Sequence, residues 1–353
     1  MTSRAGRTGP DNAELRQDPF TRAWAVIAPE RERRPHPVPD STPARGARPV
    51  TLDPKCPFCP GNEDQTPAEL WRLPTDDGDG WTVRVVPNRF PVLAAADRPA
   101  LHHRDGLLVS ADGVGAHEVV IETPRHDLDL ADADDAAVAA VLGAYRARAR
   151  ALRGIRPGLV LPFRNHGAAA GTSLSHPHSQ IVATPIVPLR YRQLFDIARA
   201  HYDDHGSCLY ADVTTAELAE GARVLAVADH VVALAPYASR VPFEARLVPR
   251  VHQASFADVA DEVLTDASAL LRGLLVALRD LLGDFSYNFV LVSAPNGEEH
   301  TDYFSWHLSL LPRLVIAAGF ELGTGIAVNP LPPERAAARL RRALSERAAN
   351  QER

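Results

Sequence analysis

Apolar and polar positions define two blocks of the chain with the same order of secondary structure. The first block reads as a strand, HEVVIETPRH (117–126), an acidic helix start, a helix to about Arg153, and two strands, GLVLPF (158–163) and the segment after His178. An apolar period of two residues predicts half-buried strands, and a period near 3.6 residues predicts an amphipathic helix.

The second block repeats the order of the first. A strand, FEARLVPRVH (243–252), precedes a helix to about Leu282 and the strands YNFVLVSA (287–294) and FSWHLSLLPR (304–313). In each block the first strand ends in Pro-Arg-(Val)-His. A strand–helix–strand–strand unit present twice predicts a duplicated α+β fold, in which two halves form one extended, mostly antiparallel sheet flanked by helices.

Outside the two blocks, DPFTRAWAVIAP lies in a predicted hairpin (14–29), a proline-rich segment (35–54) is irregular, and PPERAAARLRRALSERAA predicts a final helix opened by proline. We therefore expect a disordered tail (1–14), an N-terminal half (15–190) and a C-terminal half (191–353).

Composition narrows the class of protein. The chain of 353 residues is 45% hydrophobic and 23% charged, which is ordinary for a soluble globular protein. Its net charge of −6 provides no overall basic field for nucleic acid or an anionic membrane. The N-terminus lacks an apolar signal segment, and the longest apolar stretch (269–283) is interrupted by arginines at helical spacing. With three cysteines, too few for a disulfide framework, we expect a cytoplasmic protein without membrane or nucleic-acid partners.

The segment KCPFCPG (55–61) is a tight Cys-x2-Cys turn. Two thiolates at this spacing converge on one tetrahedral ion. A second such pair is missing and Cys208 is distant, so a zinc site would need two more ligands, for which histidines are available. A buried or redox pair is the alternative, although the proline-rich flanks and the lack of a following βαβ pattern disfavour a thioredoxin-like motif.

A pair of histidines opens the strand in GTSLSHPHSQIVATP (171–185). Because side chains alternate along a strand, His176 and His178 point to the same face. One imidazole can bind metal while the other does chemistry, or both can bind phosphate; two exposed histidines without a function are the alternative. The preceding RNHGAAAGTSLS lets backbone N–H groups approach an anion, which favours a phosphate site.

These motifs together resemble the galactose-1-phosphate uridylyltransferase family of the histidine-triad superfamily. The resemblance covers most of the chain, through DPFTRAWAVIAPERERRP, CPFCPGNE, VVPNRFP, ETPRH, NHGAAAGTSLSHPHSQ, PYASRVPFEARLVP and GFELGTGIAVNP, in the family's order. It implies two histidine-triad-like halves. The N-terminal half would carry the zinc knuckle and the catalytic histidine, and the non-catalytic C-terminal half would form a sugar-binding wall.

The resemblance also implies a reaction. His178 would attack the α-phosphorus of a nucleotide sugar, release a sugar 1-phosphate and become nucleotidylated, after which a second sugar 1-phosphate would take the nucleotidyl group. Gln180 would hydrogen-bond the phosphoryl oxygens. The leading expectation is uridylyl transfer from UDP-glucose to galactose 1-phosphate in galactose metabolism.

Further residues follow from the same resemblance. A structural Zn²⁺ would be bound by Cys56, Cys59, His126 and His176, and so would fix the strand that aims His178. Substrate-binding positions would be Arg31 and Arg34 near the phosphates, Asn88 and Asn165 beside the nucleotide, Ser173 at a phosphate, and Glu321 at sugar hydroxyls. Members of the family are often two-fold dimers, so a homodimer is expected.

Departures from the family pattern leave alternatives open. Ser179 stands where better-known uridylyltransferases carry glycine, and SHPHSQ with FELGTG is similar to a branch that includes ADP-glucose phosphorylases, which pass an adenylyl group to inorganic phosphate. A nucleotide-sugar phosphorylase is therefore the nearest alternative. A non-enzymatic zinc-ribbon module is disfavoured by the acidic balance, and a dinucleotide hydrolase by Gln180. In the second block we align His307 with His176.

Overall fold

The structure is a computed structural model that describes residues 12–33, 50–95, 101–104, 106–155 and 158–351. Most of the predicted tail (1–14), most of the proline-rich segment (35–54) and Arg34 lie outside the described residues.

Fifteen strands occur within the described residues. In chain order they are β1 Glu14–Gln17, β2 Trp24–Ile27, β3 Trp71–Pro74, β4 Trp81–Pro87, β5 Leu101–Arg104, β6 Leu108–Ala111, β7 Ala116–Ile121, β8 Leu159–His166, β9 His178–Thr184, β10 Val224–Val227, β11 Val231–Leu234, β12 Ala245–Pro249, β13 Tyr287–Val292, β14 His307–Pro312 and β15 Ala327–Asn329. The helices in the same residues are α1 Asp135–Ala151, α2 Leu189–His205, α3 Leu209–Glu220, α4 Asp261–Leu282, α5 Gly319–Thr324 and α6 Pro333–Gln351.

One large sheet organises the molecule. Among the described strands, ten pair in the order β10-β11-β12-β14-β13-β8-β9-β7-β4-β3, and every neighbouring pair is antiparallel. The units β7-α1-β8-β9 and β12-α4-β13-β14 repeat the same order, and β8 joins β13 with Asn165 opposite Asn288. The predicted duplicated α+β fold with one joined sheet is therefore confirmed.

Helices cover both faces of this sheet. On one face α1, α4 and α6 pack together over the main core, with Leu271, Leu274 and Leu278 of α4 fully buried. Each such leucine stabilises the fold by roughly 1.5–3 kcal/mol. On the other face, side chains of α2 and α3 form a second core with Phe304. Within the described residues, every helix is too short or too polar to span a bilayer.

The second half contains a histidine at the position of His178. The strands β9 and β14 begin at His178 and His307, and each ring has Nδ1 near the carbonyl oxygen two residues earlier, at 2.8 Å from His176 and 3.4 Å from Ser305. Ser305 thus takes the place of His176, and our alignment of His307 with His176 is wrong by two residues. A shift of two keeps strand side chains on the same face, so the sequence pattern could not reveal it.

A smaller sheet joins segments from the two ends of the chain. β1 and β2 form the predicted hairpin, and β15 pairs with β2 in parallel, with Val328 opposite Val26. Arg31 lies just after β2, and Glu321 lies in α5 just before β15. The two residues therefore belong to this part of the molecule.

Candidate active site and metal centre

The Cys-x2-Cys segment folds into a compact turn. The N–H of Cys59 donates to the carbonyl of Cys56 at 3.2 Å, and the side-chain amide of Asn62 donates to the same carbonyl at 2.8 Å. The N–H of Phe58 points to Cys56 Sγ at 3.4 Å, and that of Asp53 to Cys59 Sγ at 3.3 Å. Burial raises the pKa of the Cys56 thiol, and the Phe58 N–H donor partly offsets that rise.

Two histidines complete a four-residue cluster. Nδ1 of His176 lies 3.6 Å from Cys56 Sγ and 3.5 Å from Cys59 Sγ, and Nδ1 of His126 lies 3.5 Å from Cys59 Sγ. All four ligand atoms lie within 4.8 Å of one another. A tetrahedral zinc ion with Zn–S near 2.3 Å and Zn–N near 2.1 Å would separate sulfur from nitrogen by about 3.6 Å. The described geometry therefore fits a Cys2His2 metal centre.

The histidine rings of the cluster are oriented by partners on their outer nitrogens. Nε2 of His176 donates to the carbonyl of Thr123 at 2.8 Å, which leaves Nδ1 as the lone-pair nitrogen facing the sulfurs. Nε2 of His126 lies 2.9 Å from the hydroxyl of Ser175. Burial lowers the pKa of His176 to about 4, so its imidazole is neutral at pH 7 and can act as a ligand.

His178 stands at the start of β9, immediately beyond the cluster. Its Nδ1 donates to the carbonyl of His176 at 2.8 Å, so in the neutral ring Nε2 carries the lone pair. Burial lowers the pKa of His178, and only 7% of the residue is exposed. A neutral imidazole with one nitrogen fixed and the other unprotonated is suited to nucleophilic attack.

His178 lines a cleft of about 800 Å³. The walls come from His126, Asp127 and Asp129, from 164–169, from Thr172 and 174–178, and from Asp284–Ser286. At Gly167, where φ is +82°, a Cβ would lie 2.2 Å from the Ser286 hydroxyl oxygen, so only glycine allows these two walls to approach. The cleft is large enough for a nucleotide-sized ligand.

A buried charge network supports one wall of the cleft. Arg164 donates to Glu122 at 3.0 Å and to Asp129 at 2.8 Å, so its charge is already compensated. His166 lies 3.1 Å from Asp129 and 3.8 Å from Asp284. Burial opposes a positive charge on His166, but these two carboxylates outweigh it and raise the pKa of His166 above its usual value. No local pattern in the sequence marks this network, because its carboxylates lie far from Arg164 and His166 along the chain.

Two predicted substrate-binding residues and the predicted catalytic Gln180 lie on or near the same face of the sheet. Asn165 lines the cleft and accepts a hydrogen bond from the Asn288 amide at 2.8 Å. Gln180 is half-buried, two residues after His178 on β9, and its Oε1 lies 2.7 Å from Nε2 of His117. Asn88 lies on the other side of the same His117 nitrogen, at 3.1 Å. The structure therefore brings the nucleophile candidate, Asn165 and the Asn88–Gln180 pair to one region.

The remaining predicted residues are not gathered there. Ser173 is exposed in the loop before His176. Arg31 lines a separate pocket of about 380 Å³ with Phe320 and Val328. The Glu321 carboxylate accepts the N–H of residue 318 at 3.0 Å and so caps α5. Arg31 and Glu321 are absent from the described lining of the His178 cleft.

Ser179 faces away from the cleft. It is 1% exposed and alternates to the opposite face from His178, towards Glu122 and Tyr145. The serine that departs from the glycine of many uridylyltransferases therefore contributes to packing behind β9 and does not contact the cleft directly.

Comparison with known proteins shows similarity along both halves. Family models described as the N-terminal and C-terminal domains of galactose-1-phosphate uridyl transferase match residues 8–188 and 195–352. The chain is 32% identical over 328 residues to the ADP-glucose phosphorylase of Arabidopsis thaliana, covering 91% of this chain and 90% of that protein. It is 30% identical over 345 residues to the galactose-1-phosphate uridylyltransferase of Haemophilus influenzae, covering 95% of each.

The fold comparison agrees with the sequence comparison. The crystal structure of an ADP-glucose phosphorylase from Arabidopsis thaliana with bound ADP-glucose superposes with a TM-score of 0.79 at 31% identity, covering 94% of this chain and 99% of that one. The similarity therefore extends over the whole two-half architecture.

Proposed function

Because this chain belongs to the galactose-1-phosphate uridyl transferase family of nucleotidyltransferases, we propose that it moves a uridylyl group from UDP-glucose to galactose 1-phosphate through His178. One observation carries the proposal. Nδ1 of His178 is fixed by the His176 carbonyl at 2.8 Å, and the ring lines a nucleotide-sized cleft. Nε2 is therefore the nitrogen available for bonding to phosphorus.

The reaction would proceed in two displacements. Nε2 of His178 forms a bond to the α-phosphorus, the bond from phosphorus to the bridging oxygen breaks, and its electron pair leaves with glucose 1-phosphate. A phosphate oxygen of galactose 1-phosphate then attacks the same phosphorus and returns the electron pair to Nε2. The ring is positively charged while bonded to phosphorus, and the Nδ1–H bond to the His176 carbonyl stabilises that charge.

Gln180 suits this pair of leaving groups. A sugar 1-phosphate leaves as a stable anion and needs no proton, so a hydrogen-bonding amide is sufficient. A hydrolase that expels a poor leaving group would need a general acid, which an amide cannot be. This argues against the dinucleotide hydrolase, and the cleft beside His178 argues against a non-enzymatic zinc-ribbon module.

Zn²⁺ is the metal we propose for the cluster of Cys56, Cys59, His126 and His176. Two sulfur and two imidazole ligands are a common closed set for structural zinc, with no open position for substrate. The ion would supply structure: it would hold His176, and the carbonyl of His176 would in turn hold His178.

A second copy of the chain would complete the cleft. Among the described residues that line it, Arg164 is the only arginine or lysine, and its charge is taken up by two carboxylates. Anionic substrates therefore need cations from elsewhere. We propose a homodimer in which Arg31 and Glu321, both outside the cleft of their own chain, reach the cleft of the partner copy.

The alternative with a specific observation in its favour is nucleotide-sugar phosphorolysis. The relative at 32% identity is an ADP-glucose phosphorylase, and phosphorolysis would use the same His178. The two functions differ in the nucleotide and in the acceptor of the second step, which single contacts in a shaped pocket can decide.

One experiment separates the two functions. The protein is mixed with UDP-glucose or ADP-glucose and its intact mass is measured; each adduct then receives galactose 1-phosphate or inorganic phosphate. Our proposal expects a uridylyl adduct that galactose 1-phosphate removes as UDP-galactose. An adenylyl adduct removed by phosphate as ADP would establish the phosphorylase instead, and no adduct with either sugar would overturn covalent catalysis.

A further inference from the structure

The imidazole of His117 is buried between the Asn88–Val92 segment and Gln180. The residue is 8% exposed and lies on β7, next to the strand that carries His178. The N–H of Val92 donates to its Nδ1 at 3.1 Å. A neutral imidazole that accepts at Nδ1 must carry its proton on Nε2, so the backbone fixes the tautomer of this ring.

The protonated nitrogen of His117 has one acceptor within reach. Nε2 lies 2.7 Å from Oε1 of Gln180 and 3.1 Å from the Asn88 amide nitrogen, which is itself a donor. The hydrogen bond therefore runs from His117 to the carbonyl oxygen of Gln180. The amide oxygen of Asn88 accepts the N–H of Phe90 at 2.9 Å, so its nitrogen faces His117 and makes no hydrogen bond to the protonated Nε2.

This bond decides which end of the Gln180 amide is free. With Oε1 held by His117, the NH2 group has no partner among the described residues and remains available for a ligand. Gln180 and His178 are two residues apart on β9 and so share a face. An unrestrained amide could turn by 180° and present its oxygen to a phosphoryl group, where two acceptors would repel each other.

We propose that His117 is a positioning residue that holds the Gln180 amide with its NH2 group towards the phosphoryl group on His178. The inference rests on the proposed covalent function and deepens it. Three groups act in sequence. The Val92 N–H fixes the tautomer of His117, His117 fixes the orientation of the Gln180 amide, and the NH2 group of that amide donates to a phosphoryl oxygen. Because donors aimed at developing charge lower the barrier, His117 affects the rate of nucleotidyl transfer more than substrate binding.

Two substitutions separate this role from packing. In His117→Gln a donor NH2 can occupy the place of Nε2 and reach Gln180, whereas in His117→Asn the side chain can accept from Val92 but is too short to reach Gln180. We expect kcat for nucleotidyl transfer to fall about 10- to 100-fold in His117→Asn, with KM for the nucleotide sugar within about threefold of the wild type. His117→Gln should recover most of the loss.

A double-mutant comparison tests whether the effect passes through Gln180. In a Gln180→Leu background the two His117 variants should have equal kcat, because no amide remains to be oriented. Should His117→Asn stay slower than His117→Gln in that background, His117 acts by another route and the proposal is overturned. Equal kcat of both variants in the wild-type background would overturn it as well.

A separate measurement tests the proposed function. Intact-mass detection of the nucleotidyl adduct on the wild-type protein tests His178 chemistry, whereas the comparison of variants tests only His117. If His117→Asn fails to fold, as judged by its melting temperature, His117→Leu replaces it, because leucine fills the place of the ring but cannot donate to Gln180. A kcat of His117→Leu below that of His117→Gln that becomes equal in the Gln180→Leu background supports the proposal, and a difference that persists there overturns it.

Discussion

The backbone carbonyl of His176 accepts a hydrogen bond from Nδ1 of His178 at 2.8 Å. The ring of His176 belongs to the cysteine–histidine cluster, and its carbonyl fixes the ring that faces the cleft. A single residue therefore connects the candidate metal centre with the candidate nucleophile. Distortion of the cluster should misplace Nε2 of His178 without any direct contact between metal and substrate.

Replacement of His178 by glycine should remove turnover without unfolding the protein. Without the imidazole no nucleotidyl adduct can form, whereas the side chain makes one hydrogen bond, to a carbonyl, worth about 1 kcal/mol to stability. Intact mass after incubation with nucleotide sugar and the melting temperature measure the two effects.

A matched control is available in the second half. His307 is buried at the equivalent position of β14, and His307→Gln should still form the adduct in its folded fraction. Full activity of His178→Gly, or loss of the adduct only in the His307 variant, would contradict the assignment of the nucleophile.

Replacement of Cys56 by serine should reduce bound zinc and destabilise the protein. The loss of one thiolate ligand leaves an incomplete site, and we expect the free energy of unfolding to fall by about 3 kcal/mol. The protein that remains folded should also lose activity, because the ring and carbonyl of His176 are no longer held in place and the carbonyl no longer orients His178. Metal content by mass spectrometry and thermal unfolding provide the measurements.

Cys208→Ser is the control for the knuckle. Cys208 is also buried, and its thiol lies 3.4 Å from the carbonyl of Tyr303, far from the cluster in sequence. This variant should keep its zinc and its activity. Equal metal content in Cys56→Ser and the wild type would show that the four residues do not form a zinc site.

The sequence was sufficient for features that depend on local pattern. Alternation and helical periodicity predicted β7, α1, β12 and α4, and the repeated order predicted a joined sheet. The resemblance supplied the four cluster residues, and the structure brings them within 4.8 Å of one another. Their roles and that of His178 remain predictions.

Other features depend on information that the pattern lacks. The register of His307 was missed because a shift of two residues preserves the face of a strand. The contact between His117 and Gln180 joins residues 63 positions apart, and nothing in their neighbouring sequence marks it. The positions of Arg31 and Glu321 outside the cleft could not be read from motifs, since a motif does not tell where the folded chain places a side chain.

The stability contributed by His166 should depend on pH. Its pKa is raised in the folded protein, so its interactions with Asp129 and Asp284 are at full strength below the pKa of the unfolded chain and weaken as pH rises through the folded pKa. We expect His166→Gln to lower the free energy of unfolding by about 1.5 kcal/mol near pH 5.5 and by less at pH 9. Denaturant unfolding of both proteins across this range measures the difference.

His230→Gln serves as its control. His230 lies 2.9 Å from Asp266, but almost half of its side chain is exposed, so solvent screens the pair. Its substitution should change the free energy of unfolding by less than about 1 kcal/mol at every pH. A pH-independent loss in His166→Gln would show that the charge of His166 does not stabilise the fold.

Two inactive variants should restore activity when combined, if Arg31 acts in the cleft of a partner copy. Arg31→Ala chains keep His178 but lack the arginine, and His178→Gly chains have the reverse defect. A mixed dimer contains one cleft of two with both residues intact, so the purified mixed dimer should show about half of wild-type activity. Co-expression with two different tags, followed by purification of the mixed dimer and assay of uridylyl transfer, provides the measurement.

The choice of second defect makes this test specific. In the control dimer, one chain carries His178→Gly and the other carries Gln180→Leu. Because β9 of a single chain supplies both residues of a cleft, neither cleft has both intact, and this dimer should stay inactive. If activity returns when His178→Gly chains are paired with Arg31→Ala chains but not with Gln180→Leu chains, Arg31 acts in the cleft of the partner copy. Absence of recovery in an Arg31→Ala and His178→Gly dimer of confirmed composition would instead assign Arg31 to its own chain, and the cations for the cleft would then have to come from another part of the same copy.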